Sequence, residues 1–115
     1  MRIGVPKETA ANERRVALTP DVTGRLVKSS FDVTIERGAG TAAYFPDEAY
    51  RTAGATIGNR SSVLDQSDIV LQVQPPHASE LSQYREGSVL VAFFQPLADL
   101  LRQLAQRKLT AFTLV

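Results

Sequence analysis

The sequence predicts an α/β protein: a parallel-sheet three-layer sandwich, Rossmann-like or flavodoxin-like. Three observations carry this prediction. Short, nearly continuous apolar runs recur along the chain, as strands buried on both faces require. Longer segments with apolar residues at helical spacing separate them, so that strand and helix alternate. Glycine and proline mark most of the boundaries. Right-handed crossovers between parallel strands then make the sheet doubly wound.

Taken in order, residues 2–5 form the first strand, which Pro6 stops. A densely ionic loop carrying Lys7, Glu8, Glu13, Arg14 and Arg15 follows. Thr19 caps a helix with Pro20 at its first position and Asp21 at the positive end of its dipole. Val22, Leu26 and Val27 give that helix its apolar stripe. Residues 31–36 alternate and read as the second strand, and Gly38-Ala39-Gly40 as a turn. Pro46-Asp47 opens a short helix over residues 48–53 with Gly54 as its C-cap. Residues 55–57 are a short strand, and Ser61 or Ser62 starts a helical turn reaching Leu64. Residues 68–73 form a central strand, ended by Pro75-Pro76. A brief helix over 78–84, a turn at Gly87 and a buried strand over 88–94 come next. In the last helix Leu97, Leu100, Leu101, Leu104 and Ala105 share one face, and Arg102, Gln103, Gln106 and Arg107 the other. Residues 110–115 read as a final strand; no repeat, low-complexity segment or linker interrupts the series.

Composition excludes several functions. With 115 residues, 43% hydrophobic and 22% charged, the chain has the makings of one globular domain. A net charge of +1 offers no bulk attraction for nucleic acid or an acidic membrane. Without cysteine there is no disulfide, thiolate metal site or cysteine nucleophile, and His77 alone does not make a histidine metal site. No apolar run approaches the roughly 20 residues of a membrane-spanning helix. The N-terminus enters a strand directly, without signal-peptide anatomy, so a cytoplasmic location is expected. The sequence stops on Leu114-Val115 inside an apolar strand, and a piece of a longer protein is expected from that.

Candidate functional residues fall at strand ends. The ionic loop stands at the mouth of the first strand, where α/β proteins place function. Arg15, directly before Val16, offers a guanidinium fork suited to a carboxylate or phosphate, against the alternative of solvated ion pairs. Gln72 and Gln74 alternate with Val73 and are expected on one side of the sheet, and Gln95 follows the next strand. These amides can orient a ligand but cannot serve as acid or base. Gly38-Ala39-Gly40-Thr41-Ala42-Ala43 fits a loose G-x-G-x-x-A, yet the next helix starts too late for a dinucleotide loop, so a plain tight turn is the stronger reading. His77 is expected to be exposed, Tyr44-Phe45 to be core or interface, and Asp65, Gln66 and Asp68 to be solvated.

Gly4-Val5-Pro6-Lys7-Glu8, Asn12-Glu13, Arg15-Val16-Ala17 and Thr19-Pro20 together resemble the N-terminal signature of the alanine dehydrogenase and proton-translocating nicotinamide nucleotide transhydrogenase family, G-[aliphatic]-P-x-E-x3-N-E-x-R-V-A-x-[ST]-P. Glu36-Arg37-Gly38-Ala39-Gly40 is similar to the family's E-x-G-A-G turn, and Ala53-Gly54-Ala55 and Asp68-Ile69-Val70-Leu71 continue the likeness. The resemblance implies that residues 1–115 are a single N-terminal domain of this type, without the NAD-binding Rossmann domain that carries the true glycine-rich loop.

Two positions choose the branch. In the family, alanine dehydrogenases carry a Lys where this chain aligns Gln74 and a His acid/base where it aligns Gln95. A deaminase without its acid/base would fail, whereas hydride transfer between two nicotinamides needs only close, oriented rings. The resemblance therefore implies the transhydrogenase alpha subunit, whose soluble component binds NAD(H) and exchanges hydride with NADP(H) on a partner component while a membrane component moves protons. It implies a homodimer in the full protein and a place peripheral to the inner or plasma membrane. The family's substrate arginine aligns with Arg15, so Arg15, Gln74 and Gln95 are the expected cleft residues, and no catalytic, metal or tight cofactor site is expected in the chain itself. The isolated piece is expected to be inactive. The alternatives are an alanine dehydrogenase domain and a non-catalytic binding or oligomerisation module.

Overall fold

The sheet is built on β1 (Arg2–Val5), which β2 (Asp32–Glu36) and β4 (Ile69–Leu71) flank in parallel. With β3 (Thr56–Gly58), β5 (Val89–Ala92) and β6 (Thr110–Thr113) the order is β3-β2-β1-β4-β5-β6, six strands, all pairs parallel. The computed structural model describes residues 1–92 and 98–113. The helices are α1 (Pro20–Lys28), α2 (Asp47–Thr52), α3 (Arg60–Gln66) and α4 (Ala98–Gln106), with 3-10 turns at Thr41–Ala43 and Ala78–Gln83. This is the three-layer Rossmann-like sandwich that the sequence predicts. Because the chain winds outward from β1 in one direction and from β4 in the other, the boundary between them is a topological switch point.

Strand periodicity sorts the core into two layers. Ile3, Val5, Val33 and Ile35 pack with Leu18, Tyr50 and the apolar side of α1. Val70, Leu90 and Ala92 pack with Leu64 of α3, Leu81, Tyr84 and Leu104 of α4. Gly4 lies between Ile3 and Val5 and faces α3; a Cβ there would stand 2.0 Å from Ser67 Oγ and 3.0 Å from Val63 Cγ1. The missing side chain lets β1 and the C-terminal half of α3 close on each other.

Local chemistry explains the helix boundaries. Thr19 Oγ1 accepts from the Val22 amide at 3.3 Å, and Pro20 opens α1, as expected. Val22 itself is exposed, and Thr23 is the residue of this turn that is fully buried. Its hydroxyl donates to the Thr19 carbonyl at 2.8 Å, so a polar residue enters the core satisfied. The third helix starts at Arg60, ahead of the serines expected to begin it, because Asn59 Oδ1 takes the Ser62 amide at 2.8 Å. Gly54 follows α2 with φ +104, as a C-terminal glycine does. β4 is shorter than expected. Asp68 turns its carboxylate back to the Arg2 amide and to Arg85, each at 2.8 Å, and is not simply solvated. The segment expected to be a helix over 78–84 is 3-10.

Candidate functional site

The cleft opens at the switch point, over the carboxyl ends of β1 and β4. Pro6 is buried and ends β1, and the chain turns away into the ionic loop. There Glu8 reaches back to β4: its Oε1 accepts the Gln74 amide and its Oε2 the Val73 amide, both at 2.9 Å. A carboxylate thus satisfies two successive backbone donors just past the end of β4. Burial pushes the Glu8 carboxyl above its ordinary value, and the two amides oppose the shift.

Glu13 organises the outer half of the loop. Its Oε2 accepts from the Arg15 amide and Nε, both at 3.0 Å, and its Oε1 from Arg15 Nη2 at 2.8 Å. The same Oε1 accepts from Gln74 Nε2 at 2.6 Å. These bonds, first from Arg15 and then from Gln74, bring the Glu13 carboxyl down to about 2. Arg15 and Gln74 are therefore brought together, with Glu13 as the bridge. The Arg15 fork does not stand open over the strand ends, since Glu13 takes it. Gln95 lies outside the described residues.

Gln72 and Gln74 both line one hollow but bond to different partners. β4 ends at Leu71, so strict alternation stops there. Gln72 is buried and accepts the Tyr84 hydroxyl through Oε1, while Gln74 turns to Glu13. Two hollows result. One, of about 350 Å³, is walled by Val16, Ala17, Leu71, Val73 and Val91 with Arg15 at its rim. The other, of about 240 Å³, lies among Glu8, Arg60, Gln72, Gln74, His77 and Glu80. Arg60 ties this second hollow together, donating to the Lys7 carbonyl at 2.9 Å, Glu36 at 3.0 Å and Glu80 at 3.1 Å. His77 is exposed at its edge, as expected.

The glycine turn is structural. Gly38 N–H donates to Asp47 Oδ1 at 2.9 Å. A Cβ on Gly40 would come within 2.7 Å of both the Phe45 carbonyl and the Tyr50 ring. The space that glycine leaves is filled by the protein's own chain, where a dinucleotide loop would receive pyrophosphate. Phe45 packs edge-on against Tyr50 with ring centroids 6.5 Å apart, whereas Tyr44 is 84% exposed.

Glu8 and Glu13 were not among the expected cleft residues. The available signal was weak: two carboxylates in a loop after a proline-terminated strand, one of them two residues before Arg15. Among the described residues no group of three or more His, Cys, Asp or Glu could hold a metal ion, and no helix is long and apolar enough to cross a membrane.

Residues 4–114 match the family model for the N-terminal domain of alanine dehydrogenase/PNT. The NAD(P) transhydrogenase subunit alpha of Haemophilus influenzae is 39% identical over 116 residues, covering 99% of this chain and 22% of the relative. An alanine dehydrogenase of Methanococcus maripaludis is 37% identical over 113 residues, covering 96% of this chain and 30% of the relative. The crystal structure of a transhydrogenase from Sinorhizobium meliloti superposes with a TM-score of 0.93 at 34% identity, covering 98% of this chain and 34% of that one. The chain thus spans about a fifth to a third of the length of these relatives. The motif at the end of β1, the sheet order and these matches agree: the chain belongs to the family of alanine dehydrogenase/PNT N-terminal domains.

Proposed function

We propose that this chain is the N-terminal domain of a transhydrogenase alpha subunit, the part of the NAD(H)-binding component that walls the cleft opposite a separate NAD-binding Rossmann domain. In the intact enzyme, hydride would pass between NAD(H) and NADP(H), the latter on a partner component, coupled to proton movement through membrane components. The observation that carries this reading is Gln74. At the strand end where the site forms, it is a neutral amide donating to Glu13, 2.6 Å away. Exchange of hydride between two nicotinamides neither releases nor consumes a proton, so a cleft with a non-titrating side chain at this point suits it. The apolar wall of Val16, Leu71, Val73 and Val91 suits the edge of a flat ring held by another domain. The filled turn at Gly40 supports placing the main NAD contacts outside this chain.

NAD binding mainly on the following domain, a homodimeric full protein and peripheral attachment to the membrane through partner subunits belong to the same proposal. The full-length protein assembled with its partners should reduce an NADP analogue at the expense of NADH. The 115-residue chain by itself should show no micromolar NAD affinity by calorimetry. The similarity to the Methanococcus alanine dehydrogenase supports a second reading, an alanine dehydrogenase domain. Pyruvate- and ammonia-dependent oxidation of NADH by the full-length protein would establish that reading and displace the first.

A further inference from the structure

We infer that Arg60 is a positioning residue of the cleft floor: it clamps the Lys7 peptide from which Glu8 reaches past β4, and ties that peptide to the 3-10 turn at Ala78–Gln83. The Lys7 peptide is held on both sides. Its N–H donates to Glu36 Oε1 at 2.8 Å, and its carbonyl accepts from Arg60 Nη1 at 2.9 Å. Arg60 Nη1 also donates to the same Glu36 oxygen, at 3.0 Å, which closes the ring. Lys7 adjoins Glu8, so this ring sets where the Glu8 side chain starts. From there Glu8 meets the Val73 and Gln74 amides, each at 2.9 Å. A carboxylate that must reach two amides at once needs its own backbone fixed. The residues that follow it give little hold, since Thr9, Ala11 and Asn12 are exposed.

The other arm of Arg60 reaches a different segment. Its Nη2 donates to Glu80 at 3.1 Å, within the 3-10 turn. One planar guanidinium thus joins the loop after β1, the end of β2 and the turn after β4. A lysine, with a single compact charge, could not span all three. Shielding gives these bonds their weight. The side chains of Arg60, Glu36 and Glu80 are 21%, 15% and 19% exposed. A fully exposed pair would be worth little. Here, loss of the arginine would strand two shielded carboxylates. The root of Arg60 is itself fixed, because Asn59 caps α3 and Gly4 lets that helix lie against β1. Glu8 and Glu36 belong to the motifs that carry the family resemblance. Arg60 and Glu80 lie outside them, so the clamp could not be read from those motifs.

The inference goes beyond the proposed function, because it concerns the floor whichever nicotinamide reaction the full protein performs. Its test uses no nucleotide, so either can fail without the other. The measurement is site-resolved hydrogen exchange of the protein. Arg60→Met, of similar reach but uncharged, should speed exchange of the Val73 and Gln74 amides by at least roughly tenfold. The amides of β5 should keep their wild-type rates. Arg60 bonds to neither of the two amides, so a cycle with Glu8→Ala separates action through Glu8 from general loosening. In the Glu8→Ala background, Arg60→Met should add nothing at Val73 and Gln74. Arg60→Lys keeps a cation for Glu36 but cannot hold Glu80 as well. It should give the same pattern at smaller size, and it serves should Arg60→Met not fold. Unchanged Val73 and Gln74 exchange in whichever variant folds would overturn the inference. So would an effect equally large in the Glu8→Ala background, or one spread equally over β5.

Discussion

Glu8 completes the sheet edge of Val73: its Oε2 accepts the Val73 amide at 2.9 Å, beyond the point where Pro6 has ended β1. The neighbouring Gln74 amide is met by the other oxygen at the same distance. The cleft's floor is therefore held by a side chain from a loop.

Replacing Glu8 with Ala should unfold the mouth of the cleft before the sheet. Two amides lose their acceptor, and the expected cost is about 2–3 kcal/mol, since an unsatisfied buried donor costs about 1–3 kcal/mol. Urea denaturation gives the total, and hydrogen exchange should show the Val73 and Gln74 amides losing protection while β5 keeps its own.

The two carboxylates respond to pH in opposite senses. Glu13 stands at about 2 in the fold against an ordinary 4.5. Its contribution to stability is fully present above pH 4.5 and is lost as the pH falls through about 2. Glu8 is raised above 4.5, so the fold favours its protonated form; that contribution is present below 4.5 and lost as the pH rises through the folded value. Denaturation midpoints of Glu13→Gln should fall less than those of wild type between pH 4.5 and 2. A parallel pair of curves would show that Glu13 is not held as described.

Gly4→Ala should destabilise by about 1–3 kcal/mol, the usual cost of overpacking. The new methyl would meet the Ser67 Oγ at 2.0 Å and Cβ at 2.9 Å. Pairing it with Ser67→Gly should recover much of the loss, and a double-mutant cycle measures the coupling.

Tyr50→Phe should cost about 1 kcal/mol, the net worth of a typical hydrogen bond. The hydroxyl donates to the Leu18 carbonyl at 2.7 Å and joins α2 to the segment leading into α1. Burial, with Asp47 adding to it, pushes this phenol up to about 12. Burial raises the Tyr84 phenol as well, so absorbance titration should find two tyrosines ionising well above the ordinary phenol value, and Tyr50→Phe should remove one of them.

The strands and their order of appearance were legible because apolar runs and helical stripes repeat along the chain. Thr19-Pro20 and Gly54 could be read as boundaries for the same reason: capping acts within a turn of its own residue. Asn59 is an equally local cap, but it precedes Arg60 and two serines that are plausible caps themselves. The different partners of Gln72 and Gln74 were not legible, because Tyr84 and Glu13 come from other segments of the chain.

By itself the sequence determined a parallel α/β sandwich and the family signature from Gly4 to Pro20. It could do so because periodicity and fixed spacing are properties of neighbours along the chain. Only the tertiary structure decided that Glu8 fastens β4 and that Glu13 occupies Arg15. Those bonds from Glu8 to Val73 and from Glu13 to Gln74 span more than sixty positions and exist only once β1 and β4 lie side by side. A charge's partner is set by distance in space, and in this chain that distance is set by the sheet.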